Sequence, residues 1–392
     1  MRNMLNERAL ALGKHRSTIR EIFEYATLRK REIGEENVFD FSLGNPSVKP
    51  PESVNNAVIE LARVGDISLH SYTSAPGDRL VRERLCENIK KRFSYPANPD
   101  LMYLTCGAAA SLTSVLGAIL NSGDEVLVFA PFFPEYKVFV ESAGGKIKPI
   151  LCDAPNFSLP LDKLKGAITK RTRAVIINSP NNPTGAVASE SELSRLAEIL
   201  RENGGIYLIS DEPYRELCYD EPCPFVPNFY ENTIVCYSYS KSLSLPGERI
   251  GYVLLGNECE NASDLFLAVC GAARERGFVC APSLFQRVVA ECDGQTADIS
   301  IYRKNRDLLS DSLTQMGYTV CQPKGAFYLF VQSPESDAKA FCEKAKKFEL
   351  MLVPSDDFGV SGWVRISYCV DNEMILRALP KFELLMGEYE ND

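Results

Sequence analysis

The stretch YSYSKSLSLPGERIGY, residues 237–252, sets Ser238, Ser240, Lys241 and Arg249 close together. A lysine amine is a nucleophile once neutral, and hydroxyls beside an arginine suit a phosphate. Taken alone, the stretch reads equally well as a strand end followed by a charged loop, where serines and lysines are common. Other chemistry-bearing residues lie upstream. CGAAAS (106–111) sets the backbone N–H groups of Gly107, Ala108 and Ala109 at a helix start, which favours an anion. Phe133 in PFFPEY (131–136) can stack on a planar ring. Asn182 in PNNPTG (180–185) can donate to an anionic oxygen, although such clusters are usually plain turns. DEPY (211–214) supplies a carboxylate, Asp211, that is costly to bury unpaired, and a phenol, Tyr214.

Positioning these groups takes a sheet. LMYLT (101–105), EVLVFA (125–130), AVIINS (174–179), IYLISD (206–211) and TIVCYSYS (233–240) read as strands, apolar on both faces as buried parallel strands are. AAASLTSVLGAIL (108–120) and SESELSRLAEILRENG (189–204) have helical spacing. Ser189 with Glu192 forms a capping box, and Gly204 is a C-cap. The alternation predicts an α/β domain with a mostly parallel sheet. The C-terminal third predicts a smaller α/β unit: helices over 301–317 and 336–348, and strands over 325–332 and 363–369. A helix near 16–33 is expected to pack with it.

Each chemical group follows a strand, where open α/β sheets bind ligands. Together they offer a phosphate cradle, a stacking ring, an amide, an acid with a phenol, and a lysine with hydroxyls and an arginine. One ligand uses the whole set: pyridoxal 5'-phosphate. Its aldehyde takes a lysine as a Schiff base, its ring nitrogen a carboxylate, its phenolic oxygen amide and phenol donors, and its phosphate N–H groups and an arginine.

The ordered motifs SLGNP (42–46), NNPTG, DEPY, SxSKxxxxPGxRxGY and VRISY (364–368) span nearly the whole chain. In these the chain resembles the class I/II aminotransferases of the fold-type I pyridoxal-phosphate family, aspartate aminotransferase-like. The resemblance implies a large domain, residues 46–280, with a mostly parallel seven-stranded sheet between helices. A smaller α/β domain is then formed by residues 1–45 and 281–392. It implies that Lys241 is the Schiff-base lysine and proton carrier, and that Asp211 faces the ring nitrogen. Asn182 and Tyr214 would serve the phenolic oxygen, Phe133 would cover the ring, and Ser238, Ser240, Arg249 and residues 107–109 would hold the phosphate. Arg365 would fork onto the substrate carboxylate, while Gly44 and Asn45 would close over the substrate. Tyr72, in HSYTSAPG (70–77), would reach the phosphate of a second subunit, implying a homodimer with shared sites. The implied reaction moves an amino group between an amino acid, aspartate foremost, and a 2-oxo acid such as 2-oxoglutarate. A carbon–sulfur β-lyase and a non-enzymatic pyridoxal-phosphate-binding regulator are the alternatives. Arg20, Arg274 and Arg276 are candidates for a side-chain carboxylate.

Composition limits the partners. The 392 residues carry a formal net charge of -9 without basic runs, which argues against nucleic acid. The N-terminus lacks a signal-peptide core and leaves no room for a helix-turn-helix ahead of the first motif. No stretch approaches the ~20 apolar residues of a membrane span. Thirteen cysteines without a C-x-x-C pair imply a reducing, cytoplasmic setting. With only His15 and His70 beside them, no metal site is expected.

Overall fold

The computed structural model describes residues 4–14 and 17–389; His15 lies outside them. A helix at Thr18–Ile33 leads to a two-residue strand, β1 (Phe39–Asp40). Seven strands then build the large sheet: β2 (Met102–Thr105), β3 (Glu125–Ala130), β4 (Lys146–Leu151), β5 (Thr172–Asn178), β6 (Tyr207–Asp211), β7 (Thr233–Ser238) and β8 (Gly251–Leu255). Their order is β2-β8-β7-β6-β5-β3-β4, and β8 alone runs antiparallel to its neighbours. The expected seven-stranded, mostly parallel sheet is therefore present.

Both faces of this sheet are covered. Val126 and Val128 of β3 pack on one side with Val115 and Leu116 of the helix Ala108–Ile119. Leu127 faces the other side with Leu196 and Leu200 of the helix Glu190–Asn203. The alternation has period 2, and apolar residues on both faces follow from helices on both sides. Burying each such side chain contributes about 1.5–3 kcal/mol relative to exposure. The helix Glu190–Asn203 begins with the expected box: the Ser189 hydroxyl accepts from Glu192 N–H while the Glu192 carboxylate accepts from Ser189 N–H. Gly204, with φ +63°, caps its other end.

Two strands of the large sheet escaped the sequence reading. β4 (KIKPIL) carries two lysines and a proline because it is an edge strand, where one rim needs no partner. β8 (GYVLL) begins at the last two residues of the Lys241 motif, Gly251 and Tyr252.

The smaller unit holds the sheet β12-β13-β10-β9, made of β9 (Val320–Cys321), β10 (Tyr328–Gln332), β12 (Val353–Pro354) and β13 (Trp363–Ser367). β11 (Leu350–Met351) pairs separately with β1. The expected helices appear at Ile299–Gln315 and Ala338–Lys346. The 325–332 stretch becomes strand only from Tyr328, because Ala326 takes a left-handed φ of +58°. Ile22 and Ala26 of the first long helix pack with Met351, Val353 and Phe358, as expected for a helix belonging to this unit.

We propose the division 46–280 against 1–45 and 281–392, supported by the two separate sheets. The helix Ser283–Cys292 crosses that seam, packing Val288 and Val289 with Val54 and Leu85. No helix among the described residues is long and apolar enough to cross a membrane.

Candidate active site

The carboxyl ends of β2, β3, β5, β6 and β7 converge on a cavity of about 300 Å³. Register explains how the arginine joins them. β8 is antiparallel, so it starts where its neighbours end: Gly251 pairs with both Thr105 of β2 and Ser238 of β7. Arg249, two residues before Gly251, is thereby delivered to the same rim. Of the residues singled out in the sequence, Gly44, Ala108, Ala109, Phe133, Asn182, Asp211, Tyr214, Ser238, Ser240, Lys241, Arg249 and Arg365 all line the cavity.

Lys241 sits in a one-turn helix, Tyr239–Ser242, directly after β7. Its Nζ donates to Gly44 O at 2.5 Å. Burial lowers its pKa from 10.5 to about 8; Cys369 works against that, and Arg365 and Arg249 add to it. A minor fraction of the amine is thus neutral near physiological pH, far more than for an exposed lysine.

Asp211 closes β6 and is 4% exposed. Its backbone carbonyl accepts from Asn178 Nδ2 at 2.9 Å, and its Oδ2 accepts from the Tyr136 hydroxyl. Its Oδ1 is buried without a partner. Burial raises this carboxyl from 3.8 to about 7; Tyr136 works against that rise and the neighbouring Glu212 adds to it. An orphaned carboxylate oxygen in a cavity wall is costly unless a donor meets it.

The phosphate side is basic and close-packed. Ser238 and Ser240 hydroxyls are 2.8 Å apart, and Arg249 Nη1 donates to Ser240 Oγ at 3.4 Å. Gly107 opens the helix Ala108–Ile119 with φ +85° and ψ 174°, a conformation reserved for glycine. A Cβ there would stand 2.9 Å from Arg249 Nη2. The guanidinium, the helix N-terminus and the hydroxyls form a cradle that only a glycine leaves open.

Arg365 on β13 is 2% exposed. It donates from Nη2 to Ser42 O at 2.5 Å and from Nη1 to Asn182 Oδ1 at 3.2 Å, while Nε has no partner. Burial lowers its pKa, although the nearby Tyr328 and Tyr214 raise it. The Arg365 guanidinium lies 4.6 Å over the Tyr328 ring, and the Tyr328 hydroxyl meets that of Tyr214 at 2.9 Å.

Three expected residues do not themselves line the cavity: Gly107, directly before the lining Ala108, Asn45 and Tyr72. Asn45 is exposed beside Gly44. Tyr72 is 95% exposed, although the backbone behind it is held, with Thr73 accepting from Cys280 Sγ and Gln286 Nε2. Arg20, Arg274 and Arg276 do not line it either; Arg276 is bound to Ala272 O and Glu275. Sequence reasoning missed Tyr136, Tyr328 and Asn178. Tyr136 lies within the same PFFPEY segment as Phe133, and Tyr328 within the strand of the small unit, so each was visible but carried no separate signal.

These residues fit pyridoxal 5'-phosphate. The unpartnered Asp211 Oδ1 awaits a donor, the Gly107 cradle an anion, Lys241 an aldehyde, and Phe133 a ring face. The unpartnered Arg365 Nε remains for a substrate carboxylate.

Comparison with known proteins agrees. The family described as aminotransferase class I and II matches over residues 36–382. A probable aspartate aminotransferase of Methanocaldococcus jannaschii is 31% identical over 371 residues, covering 93% of this chain and 95% of that protein. The aspartate/prephenate aminotransferase of Thermus thermophilus is 30% identical over 355 residues, covering 88% and 90%. Among solved structures, an amino transferase from Eubacterium rectale has a TM-score of 0.96 at 49% identity, covering 98% of this chain and 99% of that one. The Thermus thermophilus aspartate aminotransferase with maleate has a TM-score of 0.88 at 28% identity, covering 98% and 100%.

Proposed function

Because the chain belongs to the class I and II aminotransferases, which use pyridoxal phosphate to pass an amino group between amino acids and 2-oxo acids, we propose that aspartate is its donor and 2-oxoglutarate its acceptor. The observation that carries this reading is the pairing of Lys241 and an incompletely partnered Arg365 in one cavity. Support for aspartate comes from relatives named aspartate aminotransferase, and from the Thermus structure with maleate, a four-carbon dicarboxylate.

Once bound, the cofactor supplies an aldehyde that condenses with amines and a ring that takes up the electrons left at the substrate Cα. The chain does the rest. Lys241, partly neutral, would hold the aldehyde carbon through its amine and, freed when the substrate's amine takes its place there, would take the Cα proton and return it one atom away. The charge of Asp211 holds the proton on the ring nitrogen. Asn182 and Tyr214 donate to the phenolic oxygen. Ser238, Ser240, Arg249 and the 107–109 turn fix the phosphate, and hence the reach of Lys241. Arg365 holds the substrate carboxylate in two-point geometry, orienting the Cα–H bond. Leu43 and Gly44 line the cavity beside these groups.

The basic residues lining the cavity are Lys241, Arg249 and Arg365, all with tasks in this scheme. The side-chain carboxylate of aspartate therefore calls for a further cation. Arg20, next to the cavity-lining Ile19, is the candidate within the chain. A second subunit is the other source. We place the enzyme in a homodimer, supported by the anchored loop that presents Tyr72 outward, and in the cytoplasm, supported by thirteen free cysteines.

A half-reaction screen tests the substrate. Each amino acid is added to the loaded enzyme without acceptor, and the change in cofactor absorbance is followed. Aspartate and glutamate are expected to react fastest. Pyruvate release from cystathionine or cysteine without any 2-oxo acid, with aspartate inert, would make the chain a lyase instead.

A further inference from the structure

Tyr136 has no part in the scheme above, yet among the described residues it makes the one hydrogen bond to the Asp211 carboxylate. It enters from the helix Glu135–Ser142, one turn beyond Phe133, and is 1% exposed. Its ring meets that of Phe133 edge-on at 5.7 Å. Tyr136 lines a second cavity of about 330 Å³, Asp211 lines the first, and Asn178 lines both, so the Tyr136–Asp211 pair lies between two hollows. A carboxylate at a strand end has a free χ rotation unless something fixes it. The backbone of Asp211 is fixed by Asn178, and its carboxyl plane is fixed by Tyr136 alone.

We propose that Tyr136 is a positioning residue for the reaction: its phenol pins Asp211 Oδ2 so that Oδ1 is the oxygen offered to the cofactor's ring nitrogen, and keeps that carboxylate charged. The inference rests on the reading of Asp211 given above. Geometry carries it. Oδ1 is buried and unpartnered while Oδ2 is occupied, an asymmetry that a freely turning carboxylate would not keep. The phenol cannot compete for the charge, because burial and the adjacent carboxylate raise its pKa well above the ordinary value. It acts as a donor only. The other ionisable groups facing Asp211 are Glu212 on the same strand end, Tyr214 in the following turn and Cys236 on β7. None is cationic, and among the described residues the phenol is the carboxylate's sole side-chain donor. Losing it leaves the charged form with less support, and the Asp211 pKa rises.

The test compares wild type, Tyr136→Phe, Tyr136→His, Asp211→Asn and the double variant Tyr136→Phe/Asp211→Asn. Two readouts do not involve turnover. One is the infrared carboxylic-acid band of Asp211 in apo protein, identified by its absence in Asp211→Asn and titrated against pH. The other is the dissociation constant of pyridoxal phosphate. Tyr136→Phe is expected to move the band's midpoint to higher pH and weaken cofactor binding roughly tenfold, with kcat falling more than KM rises. Tyr136→His, which restores a donor, is expected to recover part of both. In the Asp211→Asn background, Tyr136→Phe is expected to change cofactor affinity less than twofold. If Tyr136→Phe titrates and binds as wild type does while Asp211→Asn binds weakly, the positioning role is wrong and the reading of Asp211 stands. If Asp211→Asn itself binds the cofactor as tightly as wild type, the reading of Asp211 fails and this inference with it.

Discussion

At the scale of single residues the site depends on two displaced pKa values. Lys241 is lowered from 10.5 to about 8 by burial and by nearby arginines. The neutral amine is the nucleophile, so the rate at which apo protein condenses with pyridoxal phosphate should rise with pH through about 8 and then level. A stopped-flow series over pH checks this; a rise continuing to the ordinary lysine value would contradict the burial argument. Borohydride should trap the cofactor on Lys241, and Lys241→Ala should still hold the ring but lose nearly all turnover; mapping the label to another lysine would falsify the assignment. Asp211 is displaced in the opposite sense, raised from 3.8 to about 7. Between those values the folded apo protein binds more protons than the unfolded chain. The group's contribution to stability is thus complete below about 3.8 and is lost as pH rises to about 7, a change on the order of 4 kcal/mol. Denaturant melts of apo wild type, referenced to Asp211→Asn, should show that decline with rising pH. The loaded protein should not, since a ring N–H⁺ would hold the carboxylate charged. A flat difference in the apo protein would mean that Asp211 is already ionised there.

Elements decide which of these residues meet. Strand ends were legible because buried parallel strands are continuous apolar runs, and the next polar residue marks the rim. That logic located Asp211, Asn182 and Lys241. It could not locate Arg249 by itself, since only the antiparallel direction of β8 brings the residues before Gly251 to the same rim, and direction is not written in hydropathy. Arg249 was singled out instead by its closeness in sequence to Lys241 and the serines. Tyr136 shows the other limit: its role comes from a contact with Asp211, 75 residues away in sequence, and no local pattern reports it. β4 was missed because an edge strand tolerates Lys and Pro. Gly107 tests the element that carries the cradle. Gly107→Ala forces a Cβ into a glycine-only conformation and within 2.9 Å of Arg249 Nη2. A stability loss of about 1–3 kcal/mol is expected, with cofactor affinity falling tenfold or more. Ser189→Ala should by contrast cost about 1 kcal/mol through the lost cap and leave cofactor affinity unchanged. Thermal melts and equilibrium dialysis on both variants separate the two effects. Equal cofactor affinity in Gly107→Ala and wild type would remove the phosphate from that turn.

At the scale of the whole molecule, the site joins two sheets and, in our proposal, two subunits. Mixing Tyr72→Phe with Lys241→Ala protein should give hybrid dimers in which one site carries both defects and the other neither. Activity recovered in the mixture supports a shared site across a two-fold interface, and a monomer at assay concentration rules it out. Closure is the second whole-molecule property. Arg365 stands on the small sheet, while Lys241 and the phosphate cradle belong to the large one. Its guanidinium holds Ser42 O and Asn182 Oδ1, one contact toward each unit, with Nε unused. A substrate carboxylate that engages Nε ties the two sheets through one guanidinium. A ligand shifts a conformational equilibrium only by its differential affinity, and this fork is complete only when the units close. Leu43 and Gly44, next to Ser42, then lie over the reacting atoms. Arg365→Lys replaces a planar two-point donor with a point charge. It should therefore lower kcat as well as raise KM for an amino acid, because the Cα–H bond loses its orientation. An amine of the same side chain without a carboxylate should react slowly in both proteins and at an unchanged rate. The comparison of kcat/KM for the two substrates in wild type and Arg365→Lys reads this directly, and equal losses for both would show that Arg365 only holds the segment carrying Ser42.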